Sequence, residues 1–231
     1  MIYCKIKYMG KTIKIFNNSK ASIYRALIIY GLSVAIVAAG IVIGWKIPLF
    51  GSLSIPRTNG VVFDESLPIE KFELIDHSGD SFVFNRLQDI WSFIYFGYTH
   101  CPDICPTALS ILARLNTLRS EEAAVPVQYI FVSIDPERDS LPILKSYTEY
   151  FFSNLIGITG SIDELTSFAS ELAVSFEFSS ETGEYYSVSH SDVLVLINPK
   201  GSLQAIFTPP YSADELSTDF DAIRDWYTTE Y

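Results

Sequence analysis

No aspartate or glutamate occurs in the first 63 residues of this 231-residue chain; the first carboxylate is Asp64. A twenty-residue stretch, Ala26 to Trp45, has no charge of either sign. Beyond it the balance reverses, and the formal net charge of −11 hides a cationic N-terminus joined to a strongly acidic remainder. Nothing in that remainder neutralises phosphates, which excludes nucleic acid as a partner. There is no internal repeat and no low-complexity run. Cysteine is scarce, at three. Cys4 sits in the basic tail and reads as incidental, leaving Cys101 and Cys105 as one pair. A purely structural disulfide between them would close a very small loop, where a cross-link stabilises least. Proline, too, is absent between Pro142 and Pro199.

The uncharged stretch, ALIIYGLSVAIVAAGIVIGW, is long enough to cross a hydrocarbon core about 30 Å thick. Arg25 and Lys46 bracket it, and Trp45 suits the interface. It reads as an uncleaved anchor: Ile41, Val42 and Ile43 continue past the small Ala38-Ala39-Gly40, where a cleaved signal would end. Lysine and arginine before the span place residues 1–25 on the cytoplasmic side and everything after Lys46 outside. The expected organisation is a basic tail (1–25), a transmembrane anchor (26–47), a Gly/Pro/Ser-punctuated linker (48–67) and an outer domain (68–231).

The outer domain is organised around WSFIYFGYTHCPDICPTAL, residues 91–109. Trp91 to Phe96 predicts a buried strand, Gly97-Tyr98-Thr99 a turn, and Pro106 to about Ser120 a helix with apolar residues at helical spacing. The two thiols therefore fall at a strand-to-helix junction. With a first turn at Pro102 they would stack on one helix face, and the helix dipole would favour thiolate. Before this stretch, KFELIDHSGDSFVF predicts a hairpin with His77 at a solvent-facing turn. After it, strands are expected at Val127–Ile134, Leu155–Ile158, Asp192–Asn198 and Leu203–Phe207. Helices are expected at Leu141–Phe152, from a Ser161/Glu164 capping box to near Val174, and at Ser212–Tyr227. The polar stretch Ser179–Ser189, with Tyr185 and Tyr186, reads as a loop, Asp135-Pro136 as a turn at a strand end, and Glu137, Arg138 and Asp139 as a solvated ion-pair cluster. This alternation predicts an α/β fold with a central mixed sheet flanked by helices, thioredoxin-like, with its site at the carboxyl ends of the strands.

Two thiols at such a place are either a redox pair or half of a soft-metal site. The spacing C-x-x-x-C relaxes the tight pairing of a C-x-x-C dithiol. Where thioredoxin-like oxidoreductases carry a cis-proline, before the next central strand, this chain offers His190. Two thiolates and an imidazole form a three-donor set that suits Cu(I), with the imidazole also admitting Cu(II). Zinc is the competitor, but it closes with four ligands and only three convincing ones are present. His100, adjacent to Cys101, competes with His190 for the third place.

At this point the outer domain resembles the Sco/SenC family of copper-binding, thioredoxin-fold proteins that help assemble cytochrome c oxidase. The matching words are YFGYTHCPDICPTAL, SIDPERDS and, more loosely, SHSDVLVLINPKG, over roughly Pro68 to Tyr227. Ser189 stands before His190 where the family commonly has aspartate. The resemblance implies that Cys101, Cys105 and His190 are copper ligands. It further implies a metallochaperone that delivers copper to, or matures, the binuclear copper site of oxidase subunit II, with other copper chaperones or thiol reductants as further partners. The alternative is an enzyme, a thiol–disulfide reductase that uses Cys101 and Cys105 as a redox-active, disulfide-forming pair without metal. A peroxidase and a copper or redox sensor are weaker rivals. The Lys-rich tail with a single arginine is unlike a transit peptide, so the expected place is a bacterial inner membrane facing the periplasm; a mitochondrial inner membrane facing the intermembrane space is the alternative.

Overall fold

A computed structural model describes residues 5–8, 11–14, 19–46, 55–122, 125–179 and 186–230, in two units divided between Ser52 and Leu53. The first holds a hairpin, β1 (Lys5–Tyr8) with β2 (Lys11–Lys14), and the helix α1 (Ser19–Lys46). Within α1, Ser22–Ile41 is long and apolar enough to cross a membrane by length and composition, and its side chains are exposed.

The second unit is built on an eight-stranded sheet. Its strands are β3 (Val61–Pro68), β4 (Glu73–Asp76), β5 (Ser81–Val83), β6 (Trp91–Gly97), β7 (Val127–Ser133), β8 (Leu155–Thr159), β11 (Leu194–Ile197) and β12 (Ser202–Phe207). The order is β3-β12-β11-β6-β7-β8-β4-β5. The central β6, β7 and β8 are parallel, and the remaining pairs are antiparallel. Parallel neighbours need crossovers, and α2 (Ile104–Glu122) and α3 (Leu141–Phe151) supply them. Two more helices, α4 (Ile162–Glu171) and α5 (Ala213–Glu230), complete the layers. This is the expected thioredoxin-like α/β arrangement.

The run WSFIYFG is buried at every position because β6 lies between β7 and β11 with both faces covered. Period-two alternation separates its faces. Trp91 meets Phe220 and Tyr227 of α5 edge-on, at 5.4 and 5.2 Å, while Phe96 packs on Phe168 of α4 at 5.9 Å. Gly97 shares the Trp91 face and ends the strand beneath the start of α2.

Several expectations change. The stretch expected to be linker up to residue 67 contains β3, whose Val61-Val62-Phe63 run supplies an edge strand antiparallel to β12. His77 is half-buried rather than solvent-facing: its Nδ1 accepts the Gly157 N–H at 3.0 Å. The capping box forms as expected, Ser161 Oγ accepting from the Glu164 N–H while Glu164 accepts from the Ser161 N–H. The polar stretch is not simply a loop. β9 (Phe176–Phe178) pairs antiparallel with β10 (Val188–His190), a ribbon of its own outside the main sheet. Residues 180–185 of that stretch, Tyr185 included, and Cys4 lie outside the described residues.

Candidate metal centre

α2 starts at Ile104, not at Pro102, so only Cys105 belongs to the helix. Cys101 precedes it in a turn closed by its own N–H donating to the Tyr98 carbonyl at 3.2 Å. Asp139 pins that turn from beneath. Its buried carboxylate accepts from the Thr99 N–H at 2.9 Å, the Thr99 hydroxyl at 2.6 Å and the Ser133 hydroxyl at 2.6 Å. The loop's curl, rather than helical stacking, brings the sulfurs together. Both thiols are free and buried, Cys101 7% and Cys105 0% exposed.

Gly97 makes room for them. A Cβ there would lie 2.7 Å from Cys105 Sγ and 2.9 Å from the Phe131 ring, closer than real contacts allow, so glycine is needed for the sulfur to sit on the strand end.

The imidazole arrives from β10. His190 Nε2 lies 3.5 Å from Cys105 Sγ, and the two sulfurs and a His190 nitrogen all fall within 4.8 Å of one another. His190 Nδ1 lies 3.0 Å from the Ser191 carbonyl. A carbonyl only accepts, so Nδ1 carries the proton and Nε2 turns a lone pair toward the thiols. This backbone oxygen supplies the orienting contact that Ser189 does not. Tyr95 and Tyr98 wall the ring edge-on, at 6.2 and 6.3 Å.

The donor set fits one soft ion. Metal bonds of about 2.0–2.3 Å separate three donors by roughly 3.5–4 Å; the Cys105–His190 pair stands at 3.5 Å, and all three donors lie within 4.8 Å of one another. His100 stands apart: its side chain is 53% exposed, and Nδ1 faces Thr99 and Asp139, at 3.1 Å from the Thr99 hydroxyl.

Burial corrects the expected acidification of the pair. It pushes the Cys105 thiol well above its ordinary range, reinforced by the hydrogen bond with Cys101. Desolvation exceeds what one helix N-terminus offers a charge. Burial likewise pushes up the Tyr95 phenol, with Cys105 and Asp192 adding to it; its hydroxyl donates to Asp192 at 2.9 Å.

Sequence reasoning missed Gly97, the two tyrosines and the Ser191 carbonyl. The alternation that puts Tyr95 and Gly97 on one face of β6 was the available signal. It also took Glu137, Arg138 and Asp139 for a solvated ion-pair cluster, whereas Asp139 is fully buried and Arg138 pairs with the fully buried Asp135.

Comparisons with known proteins point to one family. A Stutzerimonas stutzeri protein is 34% identical over 169 residues, 73% of this chain and 83% of its own length. The mitochondrial protein SCO1 homolog 1 of Arabidopsis thaliana is 36% identical over 146 residues, 63% of this chain but only 44% of its own; this chain thus spans less than half of that relative. The crystal structure of Arabidopsis thaliana ScoI with copper bound superposes with a TM-score of 0.63 at 34% identity, covering 68% of this chain and 98% of that one. The SCO1/SenC family model matches residues 64–224, most of the second unit, and the chain belongs to that family.

Proposed function

We propose that this chain is a membrane-anchored copper chaperone that holds Cu(I) through Cys101, Cys105 and His190 and passes it to a thiolate site during cytochrome c oxidase assembly, the binuclear copper site of subunit II being the receiving site. The observation that carries the reading is the sulfur–sulfur–nitrogen trio of two buried thiols and a half-buried imidazole, with the His190 Nε2 lone pair turned toward Cys105. Soft thiolates select Cu(I), and among the described residues the group stops at three donors, one short of the usual zinc set. Copper here is cargo. As it binds, each thiol gives up its proton; as incoming thiolates replace Cys101 and Cys105, the protons return.

The apolar helix serves as the anchor, with the basic tail cytoplasmic, residues 48–60 as linker and the second unit across the membrane, in the periplasm of a bacterium. Burial weighs against the thiol–disulfide reductase reading. Attack on a partner disulfide needs an accessible thiolate, and both thiols are buried, Cys101 7% and Cys105 0% exposed, the latter with its proton held tightly.

The test is Cu(I) titration of the reduced full chain in detergent micelles, with ligation read by X-ray absorption. One equivalent bound through two sulfurs and one nitrogen is expected. Refusal of Cu(I), or a site lacking nitrogen, overturns the reading.

A further inference from the structure

The fully buried carboxylate of Asp135 follows the end of β7, where it requires a cation and hydrogen bonds. Arg138 Nε pairs with it from three residues on, and the Tyr186 hydroxyl donates to its Oδ1 at 2.6 Å. Neutralising Asp135 needs no more than that. Arg138 nevertheless makes three further contacts outside its own turn. Its Nη1 donates to the Tyr186 carbonyl at 2.8 Å. Its guanidinium lies 3.7 Å from the centre of the Tyr186 ring and 5.5 Å from that of Tyr98. Tyr98 in turn meets His190 edge-on at 6.3 Å and 87°.

The series Tyr186, Arg138, Tyr98, His190 is therefore continuous from the DPER turn to the imidazole. Tyr186 is also close to His190 along the chain, two residues before β10 begins. Among the described residues β10 pairs only with β9, over three residues, and a two-stranded ribbon is marginal alone. Arg138 grips that ribbon through both the backbone and the ring of Tyr186.

We propose that Arg138 is a positioning residue for metal loading: it fastens the His190-bearing strand to the buried Asp135 turn and so holds the imidazole over the two thiols. This rests on the metal-binding reading of the trio.

The test uses the reduced full chain in detergent micelles, Cu(I) competition with a chromophoric chelator, and X-ray absorption for ligation. The variants are Arg138→Met, Arg138→Lys, His190→Ala and the double variant Arg138→Met/His190→Ala. Arg138→Met should weaken Cu(I) binding roughly tenfold, the lower end of what losing an outer partner costs, and less than His190→Ala. The nitrogen signal should weaken while both sulfurs stay. Because Arg138 acts through His190, the double variant should bind no worse than His190→Ala. Unchanged affinity and nitrogen ligation in Arg138→Met, or losses that add in the double variant, overturn the role. Should Arg138→Met lose its near-UV circular dichroism, Arg138→Lys carries the test. It keeps a cation for Asp135 but loses the planar fork that reaches the Tyr186 carbonyl and stacks on its ring, so a few-fold loss with weaker nitrogen ligation is expected, and no change overturns the proposal. Wild-type protein that takes up no Cu(I) instead overturns the reading of the trio itself, and this role with it.

Discussion

The two thiols and the imidazole come from regions of opposite mechanical character. The thiols sit at the end of β6, a strand buried at every position and paired on both sides, in a turn pinned by the buried Asp139. The imidazole rides on β10, half of a short ribbon outside the eight-stranded sheet, with His190 only half-buried. Two donors are thus part of the core, and the third is brought to it. On the chaperone reading proposed above, that division would suit cargo: core donors would retain the ion, while the peripheral donor would be the one an incoming ligand displaces first without disturbing the fold.

Breaking the comparison at its strong side should have the largest effect. Four-ligand structural metal sites are worth roughly 10–16 kcal/mol, or about 2.5–4 kcal/mol per ligand. Cys105→Ser should accordingly weaken Cu(I) binding by roughly a hundredfold to a thousandfold in chelator competition. His190→Ala should cost less, roughly 10–100-fold, because both thiolates remain and β10 is not part of the core. Equal losses in the two variants would mean that the histidine is as much a retaining ligand as the cysteines, and the division would fail.

The two regions were also unequally legible in the sequence. The thiol side announced itself: an apolar run, a glycine turn and a prolined cysteine pair before helical spacing place Cys101 and Cys105 at a strand-to-helix junction, where they lie. What local pattern could not give was the depth of Cys105. Helix-start electrostatics is a local property, but desolvation depends on Phe131 and the strands around it, so the expected acidification was reversed. The imidazole side was legible only as a position before a strand. Its ribbon joins segments separated by a polar stretch, and the register Val188↔Phe178 and His190↔Phe176 has no sequence mark beyond two aromatics at alternate positions. The Arg138–Tyr186 contact spans 48 residues and leaves no local trace at all.

A proton balance sharpens the comparison further. Burial holds the proton on Cys105 through neutral pH, so binding a metal must expel it. Protons then compete with copper: affinity should rise with pH and fall on acidification, by about tenfold per pH unit for each proton released. Chelator competition between pH 6 and 8 measures this slope, and Cys105→Ser should reduce it by about one proton. A flat profile in the wild type would place Cys105 outside the site or already ionised, against the burial that defines the core side.

The smallest expected effect separates packing at the site from stability in general, using two glycines. Gly97→Ala drives a Cβ to within 2.7 Å of Cys105 Sγ and 2.9 Å of the Phe131 ring, with no flexible chain end to yield. Overpacking of this kind costs about 1–3 kcal/mol, and relief requires the sulfur to move. Gly79→Ala, in the β4–β5 hairpin, meets nothing within 4 Å but sits at a φ of +90°. It should lose about 1–2 kcal/mol through backbone strain alone. Both variants should therefore melt at lower temperature by similar amounts, yet only Gly97→Ala should weaken Cu(I) binding, by a few-fold. If both weaken it equally, affinity follows global stability and the glycine at the end of β6 is not a seat for the sulfur. If only Gly97→Ala does, the core side of the site is held by the fit between one missing side chain and one thiol.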